Sequence, residues 1–308
     1  MSAGGFGTVA VVGGGLIGGS AARRLHGLGA DVMVVDPDAG TREAAAAAGL
    51  AVAEVVPADC GLVVVATPLD VLPVVLADVA SRTRAVVVDV GSVKATAAAA
   101  AEAAGLAGRW VGCHPMAGTE QSGFAHSSAE LLVGVTWAVT RGAGPVETVV
   151  AWLVASFDAT VVVLDTDAHD RAVALVSHAP HALANALLEV VEVAADPAAA
   201  HLAAGSFRDG TRVAGRDALR SRNMLTDNAA ALGPVLDDLV ALLQAYRREL
   251  DDADLLADRL GRVSAGADVV RRPDLVWAPC PDLAMVLTGP GAVVVRSGVT
   301  GLEAAPAR

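Results

Sequence analysis

The sequence predicts an α/β protein, a doubly wound parallel sheet followed by an all-helical domain. Three observations carry that prediction. From Thr8 to about Leu164 short β-branched runs alternate with alanine-rich stretches, the pattern of parallel strands joined by helical crossovers. After Asp165 the strand signal stops and helical patterns continue to about Leu260. The 308 residues also exceed the usual single-domain size of roughly 100 to 200. The expected domains are residues 1–165 for the sheet, 166–260 for the helices and 261–308 for a small accessory segment rich in Pro and Gly.

The expected strands are 9–12, 32–36, 62–66, 85–89, 110–113, 135–140 and 160–164. Between the first strand and an alanine-rich helix stands Gly13-Gly14-Gly15-Leu16-Ile17-Gly18, a Gly-x-Gly-x-x-Gly spacing in the strand-to-helix setting that gives it meaning. Such glycines let the backbone turn tightly and approach a pyrophosphate, whose charge the amides at the helix start stabilise. This makes Gly13, Gly15, Leu16, Ile17 and Gly18 candidate cofactor residues of a Rossmann-type domain. Asp36 ends the second strand, where a carboxylate accepts hydrogen bonds from ribose hydroxyls and repels a 2′-phosphate, so NAD is favoured over NADP. The alternative for Asp36 is a turn cap with Pro37 and Asp38. Thr67-Pro68, after the third strand, is expected along the same crevice.

The stretch 89–123 carries the reactive groups: Gly91-Ser92-Val93-Lys94 after the fourth strand, then His114-Pro115-Met116-Ala117-Gly118-Thr119-Glu120 after the fifth. Ligands of doubly wound sheets lie at the carboxyl ends of the strands, so Ser92 and His114 are expected at one edge of the crevice. A neutral imidazole there can take a proton from a hydroxyl while hydride leaves the adjacent carbon, and Ser92 is placed to orient either partner. Lys94 is the one lysine among 22 basic residues.

In the helical domain His169-Asp170 precedes Ser177-His178-Ala179-Pro180-His181. On an ordinary helix His178 and His181 share a face. With no Glu or Cys at ligand spacing, helix packing or substrate contact is favoured over a metal, and none is expected. Pro180 is expected to kink the helix 166–195. The apolar residues 172–194 exceed what a surface helix needs and are expected to lie between helices or subunits. Arg208 and Arg212 stand four apart, suited to bidentate carboxylate recognition or, more plainly, to a charged helix end.

Composition narrows the partners. A net charge of -12 disfavours nucleic acid or an anionic membrane surface. No 18-residue apolar stretch lacks charged or strongly polar groups, and a strand beginning by Thr8 leaves no room for a leader, so a cytoplasmic location is expected. Cys60, Cys113 and Cys280 are dispersed and odd in number, which argues against disulfides or zinc and for buried thiols.

These pieces, in this order, resemble the prephenate/arogenate dehydrogenase family of tyrosine biosynthesis from Thr8 to about Tyr246. The Gly-Ser-Val-Lys, His-Pro-Met-Ala-Gly, Ser-His-x-Pro-His and Asp-x-Thr-Arg segments carry the resemblance. It implies NAD-dependent oxidative decarboxylation of prephenate or arogenate, with hydride leaving C4 of a cyclohexadienol. The family's catalytic histidine falls on His114, its supporting serine on Ser92 and its carboxylate-binding arginine on Arg212. Its other pocket positions fall on Thr119, Glu120, Ser177, His181 and Asp209. A homodimer through the helical domain is also implied. Ser221 stands where the family commonly has tryptophan, with Asn228 retained, which keeps a 4-amino analogue open as substrate. The tail from Gly261 is too short for the family's regulatory ACT domain. Among rivals, the β-hydroxyacid dehydrogenases use a lysine in the helical domain, and no lysine follows Lys94. A non-catalytic NAD-binding sensor has no need of a proton acceptor beside a hydroxyl site.

Overall fold

The computed structural model describes residues 5–119, 121–215, 218–271, 275–299 and 301–307. Residues 1–169 with 276–307 form one unit and residues 170–275 a second.

In the first unit the strands are β1 (Val9–Val12), β2 (Val32–Val35), β3 (Ala51–Ala53), β4 (Leu62–Val65), β5 (Val86–Asp89), β6 (Trp110–Pro115), β7 (Thr136–Thr140), β8 (Thr160–Leu164), β9 (Ala278–Pro279), β10 (Val293–Gly298) and β11 (Gly301–Pro306). They form one sheet in the order β3-β2-β1-β4-β5-β6-β7-β8-β10-β11-β9. Helices α1 (Leu16–Gly27), α2 (Ala39–Ala47), α3 (Leu72–Arg82), α4 (Lys94–Ala103) and α5 (Val146–Phe157) make the crossovers. The strands β3 to β6 of this order run parallel, with β1 and β4 buried at every position, as expected for strands covered on both faces.

Side-chain alternation sends residues to two cores. Val9 and Val11 join Leu25, Trp137, Trp152 and Phe157 on one face. Ala10 and Val12 join Leu72, Leu76, Val79 and Leu106 on the other.

The sheet departs from an all-parallel reading beyond β6. Strand β7 pairs antiparallel with β6. Among the described residues of the 116–135 connection the regular element is a 3-10 turn, Phe124–His126, and no α-helix forms the crossover that usually joins parallel neighbours. Helix α5 provides that crossover next, and β8 runs parallel to β7.

The tail also differs from the single accessory segment read from sequence. Residues 276–307 return to the first unit, where β10 pairs antiparallel with β8 and β11 and β9 follow outward. Val293, Val295, Cys280, Leu283 and Leu287 are part of the core that holds Trp137 and Phe157. Arg141, just past β7, donates to the carbonyls of Leu287 at 3.0 Å and Gly291 at 2.5 Å and pairs with Asp165 at 3.4 Å.

Thr166–Val173 forms α6, which crosses from the first unit into the second. A π-turn, Ala174–His178, follows, then α7 (Ala179–Ala194), α8 (Pro197–Leu202), α9 (Gly205–Thr211), α10 (Ala218–Asp227), α11 (Ala229–Glu249) and α12 (Ala253–Arg271). A final short helix, α13 (Leu283–Leu287), lies in the tail. Pro180 sits in the first turn of α7. A proline there supplies no amide donor, and the π-turn stands immediately before its helix.

Among the described residues the second unit buries few apolar side chains by itself. Its cluster is Ala174, Ala179 and Leu232 with half-buried Leu225, Val235, Leu236 and Leu239 around them. Leu175, Val176, Val190, Val193, Leu202, Val240 and Leu243 are exposed. Helix α11 is long and apolar enough to cross a membrane by length and composition, and it carries Asp237 and Asp238.

Candidate active site

Strand register builds the site's floor. Val12 lies opposite Val35 and Val65, Val65 opposite Asp89, and Asp89 opposite Gly112. Everything that follows these residues emerges at one carboxyl edge: the glycine loop after β1, Asp36 after β2, Thr67 after β4, Ser92 after β5 and His114 near the end of β6.

The glycine loop is tightly specified. Gly13 has φ +95°, and a side chain there would meet the Ala66 carbonyl oxygen at 2.6 Å. A Cβ on Gly18 would run into the Gly13 carbonyl, so α1 closes onto the loop only with hydrogen at that position. Gly15 opens onto free space, and Leu16 and Ile17 begin α1 behind it. These are the features a pyrophosphate cradle requires: close backbone approach and a helix start facing outward.

Asp36 is half-buried. One carboxylate oxygen accepts from the Gly14 amide at 2.7 Å and the other from the Asp38 amide at 2.9 Å. The turn-cap role and the loop-bracing role therefore coexist. A carboxylate has about four acceptor positions, so two amides leave capacity for ribose hydroxyls. Arg42 donates to the carbonyls of Asp36 and Pro37 and pairs with Glu54 at 2.9 Å, which engages the guanidinium instead of offering it to a 2′-phosphate. Asp38 caps α2 by accepting from the Thr41 amide at 2.7 Å, and that bond lowers its carboxyl below the ordinary value. Thr67 packs against Gly13, and its buried hydroxyl has no partner among the described residues. Pro68 follows it at the exposed rim. Together the cradle, the carboxylate and the orphaned hydroxyl fit a dinucleotide.

At the next strands the chemistry begins. Ser92 is half-buried on the turn between β5 and α4. Beneath it Lys94 and Asp89 are both wholly buried and pair at 2.5 Å. The same Asp89 oxygen accepts from the Gly91 amide at 2.9 Å, and Lys94 Nζ donates to the Cys113 carbonyl at 2.7 Å. Burial pushes the Asp89 carboxyl up, while the Lys94 ammonium beside it pulls the other way. The pair ties β5, the start of α4 and the residue before His114 into one unit.

His114 lies within β6, not after it, and is half-buried. Its Nδ1 is 3.0 Å from Nε2 of His169 on α6, with ring centroids 5.2 Å apart. Sequence reasoning singled out His169 without this partner. Thr119 is exposed in the following loop and its hydroxyl accepts from the Gln121 amide at 3.2 Å. Glu120 lies outside the described residues.

The second unit holds the remaining candidates. Ser177 is half-buried in the π-turn, and its carbonyl accepts from Nδ1 of His181 at 2.8 Å, leaving Nε2 of His181 as an acceptor. His178 closes the π-turn with helical dihedrals and His181 lies in the first turn of α7, so the helical relation between them is kept while the first is buried and the second half-buried. His178 is buried, and Nδ2 of Asn228 lies 3.0 Å from its Nδ1 and donates to the Asp170 carbonyl at 2.8 Å. His178 is thus packed inside the unit, and Asn228 joins α6, the π-turn and α11. Asp209 and Arg212 are exposed at the end of α9, with the Arg212 amide 3.4 Å from the Asp209 carbonyl. Ser221 is half-buried on α10. Among the described residues no cluster of His, Cys, Asp and Glu could hold a metal ion. Cys60, Cys113 and Cys280 are all buried free thiols, and burial pushes the Cys113 thiol far up.

Family models match residues 20–162, as "Prephenate dehydrogenase, nucleotide-binding domain", and 165–262, as "Prephenate dehydrogenase, dimerization domain". The first match begins inside α1, so the glycine loop stands on its own geometry. The chain is 30% identical over 265 residues to a cyclohexadienyl dehydrogenase of Zymomonas mobilis, covering 81% of this chain and 90% of that one. It is 32% identical over 266 residues to NovF of Streptomyces niveus, assigned as a prephenate dehydrogenase, covering 83% and 73%. A prephenate dehydrogenase from A. aeolicus, solved with hydroxyphenyl propionate and NAD+, superposes with a TM-score of 0.78 at 23% identity, covering 86% and 98%. At that identity the likeness is one of fold.

Proposed function

The chain belongs to the prephenate dehydrogenase family, and from that premise we propose that it catalyses NAD-dependent oxidative decarboxylation of prephenate or arogenate to 4-hydroxyphenylpyruvate or tyrosine. The observation that carries this reading is the placement of His114 and Ser92 at the carboxyl edge shared with the glycine loop and Asp36. NAD bound by the loop, Asp36 and Thr67 supplies the hydride acceptor.

The chain's own groups manage the proton and the carboxylates. As the C4 hydrogen departs with its electron pair, His114 takes the proton of the C4 hydroxyl. The resulting dienone loses its ring carboxylate as carbon dioxide, the broken bond's pair enters the ring, and the oxygen takes a proton back as a phenol. Ser92 orients the hydroxyl. Arg212 binds a substrate carboxylate, which suits a bidentate guanidinium. Thr119, Glu120, Ser177, His181 and Asp209 are assigned to the rest of the substrate pocket.

The working form on this reading is a homodimer through the helical unit. The match to a dimerization domain and the exposed apolar residues of α7 and α11 support it. A 4-amino analogue of prephenate is the second substrate reading, favoured by Ser221 at the usual tryptophan position.

Side-by-side assays with prephenate, arogenate and the 4-amino analogue test the reading. NADH formation with release of carbon dioxide is expected for at least one of the first two. Turnover of the amino analogue alone moves the assignment to the second reading. Absence of NADH with all three, in protein that binds NAD, overturns the enzyme assignment.

A further inference from the structure

We propose that His169 is a positioning residue that fixes the tautomer of His114, holding Nδ1 as the protonated nitrogen so that Nε2 is the acceptor for the substrate proton. The inference rests on His114 being the base in the proposed function, and it adds a residue outside the motifs that identify the family.

The geometry leaves two arrangements. Nδ1 of His114 and Nε2 of His169 are 3.0 Å apart, close enough that one nitrogen must donate and the other accept. If His169 donates, the proton of neutral His114 sits on Nε2, which then has no lone pair for a substrate hydroxyl. If His114 donates, Nε2 is the lone pair. His169 is 1% exposed and meets the His114 ring edge to face, so packing holds its Nε2 against His114. A neutral His169 accepting through Nε2 is compatible with a working base, and its acceptance becomes stronger once His114 carries the captured proton, because the Nδ1 donor is then cationic. The proton never has to leave His114 for His169.

A carboxylate in the same place would also fix the tautomer, but it would hold the imidazolium far more tightly. An imidazole acceptor holds it less tightly, which suits a group that returns the proton to the phenolic oxygen. The His169 backbone is itself fixed, since its amide donates to the Asp165 carbonyl at 2.9 Å at the start of α6.

Other titratable and charged groups stand on the elements that carry the pair and their neighbours. Asp89 of β5 is paired with Lys94 of α4, and Asp165, which follows β8, is paired with Arg141 at the end of β7. Cys113 precedes His114 on β6 with its thiol pushed up by burial. Asp167, Asp170 and Arg171 lie on α6 beside His169, and Glu120 follows in sequence outside the described residues. All of these are common to wild type and variants, so a change in pH profile reports on the histidine pair.

Two readouts test the proposal. In protein labelled with 15N-histidine, the His114 signals, assigned by their loss in His114→Asn, should show the Nδ1–H tautomer in wild type and lose that preference in His169→Phe. This measurement requires no turnover, so it decides the proposal even if the dehydrogenase reading fails. In kinetics, His169→Phe should lower kcat by about tenfold or more. It should also move the acid limb of kcat/KM to lower pH, because the imidazolium loses its acceptor. NAD affinity should stay, and His169→Gln, which keeps a neutral acceptor, should recover part of the rate. An Nε2–H tautomer in wild type overturns the proposal, as does an acid limb that does not move in either variant. If the phenylalanine variant does not fold, the wild-type tautomer and the glutamine profile carry the same decision.

Discussion

Lys94 is wholly buried, an unusual position for an ammonium, and its acceptors are the Asp89 carboxylate and the Cys113 carbonyl. Charge pairs in such places add little net stability as pairs, because both partners lose hydration, yet removing one partner leaves the other stranded. Lys94→Met is therefore expected to destabilise the fold by about 3–5 kcal/mol in chemical denaturation, the range for breaking a buried pair. The double variant Asp89→Leu with Lys94→Met should lose markedly less. Equal losses would mean that packing, not the stranded carboxylate, sets the cost. The lysine's uniqueness was legible in the sequence, whereas its burial was not, since nothing in the alanine run behind it says which face meets the sheet. The pairing of His169 with His114 was hidden in the same way, because the two stand 55 residues apart and meet only when β6 and α6 are placed.

Helices and strands show where local pattern suffices and where it fails. The valine runs and the glycine loop identify β1, β2 and β4 to β8 because a covered strand and a tight strand-to-helix turn each have a local signature. Strand β3 escaped notice because Ala51–Ala53 is three residues with two alanines. The tail escaped for a different reason: its runs read as apolar, but no local pattern names β8 as the partner of β10. For α7 the reading from sequence was an excess of apolar residues needing cover, and Val190 and Val193 are 64% and 78% exposed in the single chain. If this face is the dimer contact proposed above, Val190→Glu and Val193→Glu should each weaken association, since a buried unpaired carboxylate is costly. Sedimentation equilibrium should then find monomer at concentrations where the parent protein is dimeric. Unchanged dimers in both variants would move the interface away from α7.

At the scale of the whole chain, each unit holds its own set of candidate residues. The first carries the glycine loop, Asp36, Ser92 and His114 at one sheet edge, which strand register explains, while His169 reaches His114 from α6. The second carries Ser177 in the π-turn, His181 on α7 and Arg212 just past α9, the residues that sequence motifs singled out. Motif spacing made the candidate residues legible because catalytic groups follow strand ends, whereas the supporting contacts depend on long-range packing that spacing does not encode. The central claim is that His114 accepts the substrate proton at a site whose cofactor binding is independent of it. The direct measurement is turnover and NAD affinity in His114→Asn, which keeps hydrogen-bonding capacity without the base. A fall in kcat of roughly a hundredfold or more with NAD affinity retained is expected, and unchanged turnover would contradict the account.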